Sequence, residues 1–156
     1  MEQVMENTQF WQLMKLVDRV ALEDGEEDRA VLSLTSALTA MEVTSIEAFH
    51  EHLSQHLFAI DGEKYAANAG NSGESDDGFL YARCYVIARG EEYYFRVKQT
   101  PVEMQRSADQ WCESLLYVAP NAWAARSGSD PSDWTFEATV SYESGSNPDL
   151  WPHGGA

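Results

Sequence analysis

The sequence predicts an all-α protein: a compact helical domain around one central buried helix, with an extended or short-strand C-terminal segment. Three observations predict it. Apolar residues recur at helical spacing through most of residues 1–128. The run Ser75 to Gly90, SDDGFLYARCYVIARG, is apolar on every helical face and carries one charge between Phe79 and Ala88, that of Arg83. Such a helix is buried in the middle of a domain. Only Trp134 to Tyr142, WTFEATVSY, alternates cleanly between apolar and polar residues. The chain is therefore divided into a helical domain, residues 1–128, and an aromatic-containing extended segment, residues 129–156.

Met1 to Glu6 reads as a frayed leader. Asn7 or Thr8 caps a first helix that runs to about Glu23, with Phe10, Leu13, Met14, Val17, Val20 and Ala21 on its apolar face. Asp24 and Gly25 break it. A second helix runs from about Glu26 to Met41. Its first turn carries Glu26, Glu27 and Asp28, which suits the helix dipole, and Val31, Leu34, Leu38 and Met41 line one face.

Thr44 followed by Glu47 reads as a capping box for a third helix, to about Ile60. Ile46, Phe49, Leu53, Leu57 and Ile60 form its buried stripe, and His52 and His56 lie four apart on the flank. Two imidazoles at that spacing can share a metal, but no HExxH pattern is present, and they are read as exposed or core-edge histidines. A short helix follows around Tyr65, from Glu63 to Ala69, then a small-residue loop from Gly70 to Gly73.

Ser75 is placed to cap the central helix, and Asp76 and Asp77 suit its N-terminus. Arg83 inside it needs a partner, because an unpaired buried charge is costly, and an acid is expected there. Glu91 to Val97 continues as another helix. Thr100, Pro101 and Glu103 read as a second capping box. The helix it opens continues, or restarts near Ala108, through Trp111, Leu115 and Val118, until Pro120 interrupts it. Asn121 to Arg126 adds a last turn or two, closed by Gly128. Beyond lie turn-forming runs such as SGSDPSD, and the last six or so residues are expected to be mobile.

The protein carries 26 acidic residues against 10 Lys and Arg, a formal net charge of -16, spread along the whole length. Nucleic-acid binding is excluded from the expected functions, since phosphate contacts need clustered Lys and Arg. A basic partner is favoured by complementary charge. No segment is apolar enough to span a bilayer, and the acidic N-terminus lacks a signal-peptide pattern. Cys84 and Cys112 both fall in apolar helical stretches, outside any metal motif, and are read as reduced core thiols of a cytoplasmic protein.

The run SDDGFxYxRxYxIxxG, Ser75 to Gly90, resembles the core signature of a bacterial family catalogued as domain of unknown function 4240. Leu115 to Ala119 followed by Trp123 and Gly128, the pair Phe10 and Trp11, and the pair Phe49 and His52 are similar to it as well. The resemblance covers about residues 8–128. Ala82 and Tyr85 depart from the Phe and Trp usual in the pattern, and IDGEKYAANAGNSGE replaces an aromatic-rich segment. The resemblance implies a helical fold and carries no established activity. It singles out Asp76, Asp77 and Arg83 as the polar residues of the pattern.

No nucleophile elbow, phosphate-binding loop, zinc motif or nucleotide fingerprint is present. The expected function is protein binding without a cofactor or metal, through Asp76, Asp77, Arg83 and His52 together with the aromatic anchors Trp134 and Phe136. In its most concrete form this is an immunity-type inhibitor that neutralises a basic toxin. The alternative is a small enzyme or ligand-binding protein in which Asp76, Asp77, Arg83 and His52 converge on one pocket.

Overall fold

A computed structural model describes residues 5–152, and these residues fold into helices and turns with no strand among them. The first expected helix is two: α1 (Asn7–Met14) and α2 (Arg19–Glu23). The break comes at Asp18, whose carboxylate accepts a hydrogen bond from Ala21 N at 3.1 Å and starts α2 afresh. Glu6, not Asn7 or Thr8, caps α1, in a reciprocal pairing with Gln9. Met5 is buried, so the expected fraying does not extend to it. At the other end Trp151, within the tail expected to be mobile, is half-buried and donates its indole N–H to Asp61; residues 1–4 and 153–156 lie outside the described residues.

The second expected helix also divides, into α3 (Glu27–Ala30) and α4 (Leu32–Thr39), at Val31, whose φ of -99° and ψ of 3° leave the helical region. α5 (Val43–Ala59) is the longest element, and its whole expected stripe from Ile46 to Ile60 has no exposure. Each such Leu, Ile or Phe contributes about 1.5–3 kcal/mol relative to an exposed position. The Thr44–Glu47 capping box does not form, because the helix starts two residues earlier, with Glu42 at its N-cap. α6 (Glu63–Ala66) presents the buried Tyr65, and a 3₁₀ helix (Gly70–Glu74) replaces the expected loop.

α7 (Asp76–Ala88) is the buried helix that its sequence predicts. Ser75 caps it, its hydroxyl accepting from Gly78 N at 3.0 Å. Gly78 is required there by space: a Cβ would sit 2.7 Å from Ser72 O and from the Ser75 hydroxyl. α7 packs against α5, α8 (Glu91–Gln99) and the 3₁₀ helix Glu113–Tyr117.

The second capping box is also absent. Pro101–Ser107 is a 3₁₀ helix without a side-chain cap, and the chain then runs irregularly past Asp109, at φ 63°. Trp111 is exposed rather than inward, with its indole N–H donated to the Ser72 hydroxyl at 2.8 Å. Pro120 does not interrupt a helix. It lies in the first turn of α9 (Val118–Ser127), where no N–H is needed for the ladder. Gly128 closes α9 in the left-handed region, at φ 68°.

After a 3₁₀ turn (Pro131–Asp133) the chain lies across the helices. Trp134, Phe136, Ala138, Val140 and Tyr142 are half-buried and the residues between them are exposed. The period-two pattern is thus a pattern of burial and not of strand pairing: no neighbouring strand offers a ladder, so the expected short strand does not form.

Candidate functional site

Arg83 is fully buried. The expected carboxylate contact is absent: among the described residues its guanidinium makes no ion pair within hydrogen-bonding reach. It donates instead to Leu57 O at 2.9 Å, Tyr142 O at 3.0 Å and the Ser144 hydroxyl at 3.0 Å, and it stacks on the Phe79 ring at 4.6 Å. Leu57 lies in the last turn of α5, where carbonyls lack helical partners and the dipole is negative. Tyr94 and Asn147 serve the adjacent carbonyls, those of His56 at 2.8 Å and Phe58 at 2.9 Å. Burial pulls the pKa of Arg83 down, and the nearby charge of Asp61 pulls it back up.

Asp61 is fully buried too. Its carboxylate accepts from Gly145 N at 3.0 Å, Ser146 N at 2.7 Å, Asn147 N at 3.0 Å and the Trp151 indole at 2.9 Å. Arg83 and Asp61 therefore fasten residues 142–151 to the helices from within the core.

That fastening holds the preceding residues over α5 and leaves a cavity of about 460 Å³ between them, against the turn that leads into α9. Its aromatic lining comes from Tyr117, Trp134, Phe136 and Tyr142, and its helix side from His50 and Ser54. Those two stand four apart on α5, hence on one face. Both are buried, His50 at 7% and Ser54 at 1% exposure. Neither His50 Nδ1 nor Ser54 Oγ has a hydrogen-bond partner among the described residues. Buried polar atoms are nearly always paired, so two orphans on one cavity call for a reason.

Three rings converge on the His50 imidazole: Trp134 at 5.8 Å, Phe136 at 6.2 Å and Tyr142 at 6.1 Å, all nearly perpendicular to it. Burial among them lowers the pKa of His50, against a smaller opposing pull from Glu51, so the imidazole is neutral at pH 7. Glu51 faces outward and accepts from Thr139 N at 2.8 Å, which ties the segment to α5 at a second point.

The residues singled out in the sequence fall in three places. Trp134 and Phe136 line the cavity. Arg83 lies beneath its edge, holding Tyr142. Asp76 and Asp77 are exposed on the first turn of α7, and the carbonyl of Asp76 accepts from Ser144. His52 belongs to a different cleft, shared with His56, Asn7 and Lys98. There His52 Nε2 donates to Met5 O at 2.7 Å and His56 Nε2 to the Asn7 side chain at 2.8 Å, so both histidines dock the start of the chain.

His50 and Ser54 were not among the candidate residues, although the sequence holds a signal for them. Each directly follows a residue of the α5 stripe, Phe49 or Leu53, on the flank opposite His52 and His56. Cys84 and Cys112 are free and buried, with burial pushing both thiols up, Cys112 to about 12. No described helix is long and apolar enough to cross a membrane.

The family described as protein of unknown function (DUF4240) matches residues 5–125. No curated protein and no solved structure shows a match. The matched stretch supplies Arg83, His50 and Ser54, and the aromatic segment over the cavity follows it in the sequence. By the extent of that match, the chain belongs to the DUF4240 family.

Proposed function

We propose that this is a binding protein and that the cavity between α5 and residues 134–143 receives its ligand. The carrying observation is the pair of orphaned buried atoms, His50 Nδ1 and Ser54 Oγ, on residues that line the same cavity. A volume of about 460 Å³ suits a small organic molecule, and aromatic walls with a few convergent polar groups are typical of such sites. Binding is preferred to catalysis because, among the described residues, His50 Nδ1 and Ser54 Oγ are not hydrogen-bonded to each other and no carboxylate orients the imidazole through Nδ1. The test is a thermal-shift screen of small organic fragments on the wild type and on Ser54→Ala. Hits that raise the melting temperature of the wild type alone support the reading. Hits that act equally on both place the site elsewhere.

A second reading is favoured by the charge of -16: a partner protein of basic character, with this chain acting as an immunity-type inhibitor of a toxin. Trp134 and Phe136 beside exposed acids would then be interface anchors. Affinity capture from the native host at low and moderate salt tests it. One stoichiometric basic partner, lost with salt and with Trp134→Ala, supports it, and a partner indifferent to both opposes it.

A further inference from the structure

We propose that the ligand of this cavity is an organic cation, an alkylammonium group; the proposal rests on the reading of the cavity as the binding site. The lining contains no Lys or Arg. Glu137 and Glu143 are among its lining residues, both exposed to solvent, and Glu51 stands beside the same segment. An anion would meet carboxylates and a neutral imidazole, with no cation to hold it. A purely apolar molecule would leave the acids unused and the two orphaned atoms unserved.

A cation gains from both kinds of wall. Aromatic rings attract a cation held within about 6 Å of the ring centre, more strongly when water is excluded. Trp134, Phe136 and Tyr142 all line the cavity, where they pack nearly perpendicular to His50. An alkylammonium entering beside His50 meets the ring surface that the imidazole leaves uncovered, while the exposed Glu137 and Glu143 add their field. The Ser54 hydroxyl and the neutral His50 are left to receive a hydroxyl or amide elsewhere on the same molecule.

The same chemistry has two sources: a free amine such as choline, or the side chain of a lysine on a partner protein. Titration calorimetry separates them, using choline, its uncharged carbon isostere with a tert-butyl group in place of the trimethylammonium, and the blocked amides of lysine and trimethyl-lysine. The expected result is saturable one-to-one binding of choline or of a lysine amide. The isostere should bind at least about tenfold more weakly, and Trp134→Ala and Phe136→Leu should each weaken the cation by a similar factor. Choline alone identifies a free amine, and a lysine amide alone identifies a protein side chain.

If the isostere matches choline, the cation is wrong and the cavity reading stands. The same holds if no cation binds but neutral fragments distinguish wild type from Ser54→Ala. If nothing binds and Ser54→Ala changes no fragment result, both fall. Cation binding that survives both aromatic substitutions is attraction to the acidic surface and overturns the proposal.

Discussion

Arg83 shows how a buried charge is tolerated without an acid in contact. The negative end of α5, two further oxygens from the C-terminal segment and the face of Phe79 take the place of a carboxylate. Removing it leaves Tyr142 O and Ser144 without this donor, leaves Leu57 O with only the long bond from Ile60 N, and opens a large void. Arg83→Ala is expected to cost about 3–5 kcal/mol, from the cavity and the unserved acceptors, read from urea unfolding; a wild-type midpoint would show that the contacts are dispensable. Ser54 should behave in the opposite way. Its hydroxyl is buried without a partner, and such a group costs about 1–3 kcal/mol, so Ser54→Ala should leave stability unchanged or raise it while weakening ligand binding. A clear loss of stability would mean that the hydroxyl already has a structural partner. Residue identity made Arg83 legible in the sequence as buried, because its neighbours are apolar on every side. Its partners were not legible, because two are backbone carbonyls, which every sequence supplies, and the third is the hydroxyl of Ser144, 61 residues away.

At the scale of elements, burial stripes were legible and helix ends were not. The stripe of α5 and the all-round burial of α7 follow from apolar spacing alone. Both expected capping boxes failed, for different reasons: α5 starts before Thr44, whereas Thr100 does stand at the N-cap with Pro101 after it but opens a 3₁₀ helix without a side-chain cap. Two histidines of α5 carry a pH dependence. Burial, reinforced by the charges of His52 and Lys98, lowers the pKa of His56 from 6.5 to about 4, and His50 is lowered as well. The folded state then binds fewer protons than the unfolded chain below about pH 6.5. The contribution is fully present above that pH and is lost as pH falls toward about 4. His56→Gln, which can still donate to Asn7, should flatten the fall in melting temperature from neutral pH to about pH 5. An unchanged slope would assign the acid sensitivity to other groups.

Across the whole molecule, the acidic surface and the C-terminal segment act together. The ion pairs among the described residues join partly or fully exposed side chains and contribute about 0–1 kcal/mol each. Most acids are therefore left to the field that draws cations inward. The period-two run of residues 134–142 showed in the sequence which of its side chains turn inward. That they face a cavity could not be read, because the cavity also needs the flank of α5 and the anchors Arg83 and Asp61. Deleting residues 129–156 removes all four donors to Asp61 and two acceptors of Arg83. The truncated chain is expected to be less stable than Arg83→Ala, or unfolded, by circular dichroism and urea titration. Retention of wild-type stability would make the segment an appendage.

The measurement that bears most directly on the cavity is an amide and side-chain NMR titration of the intact protein with choline. Saturable shifts confined to His50, Ser54, Trp134, Phe136 and Tyr142 are the expected result. Shifts spread over the exposed acids, with those five unmoved, would contradict it.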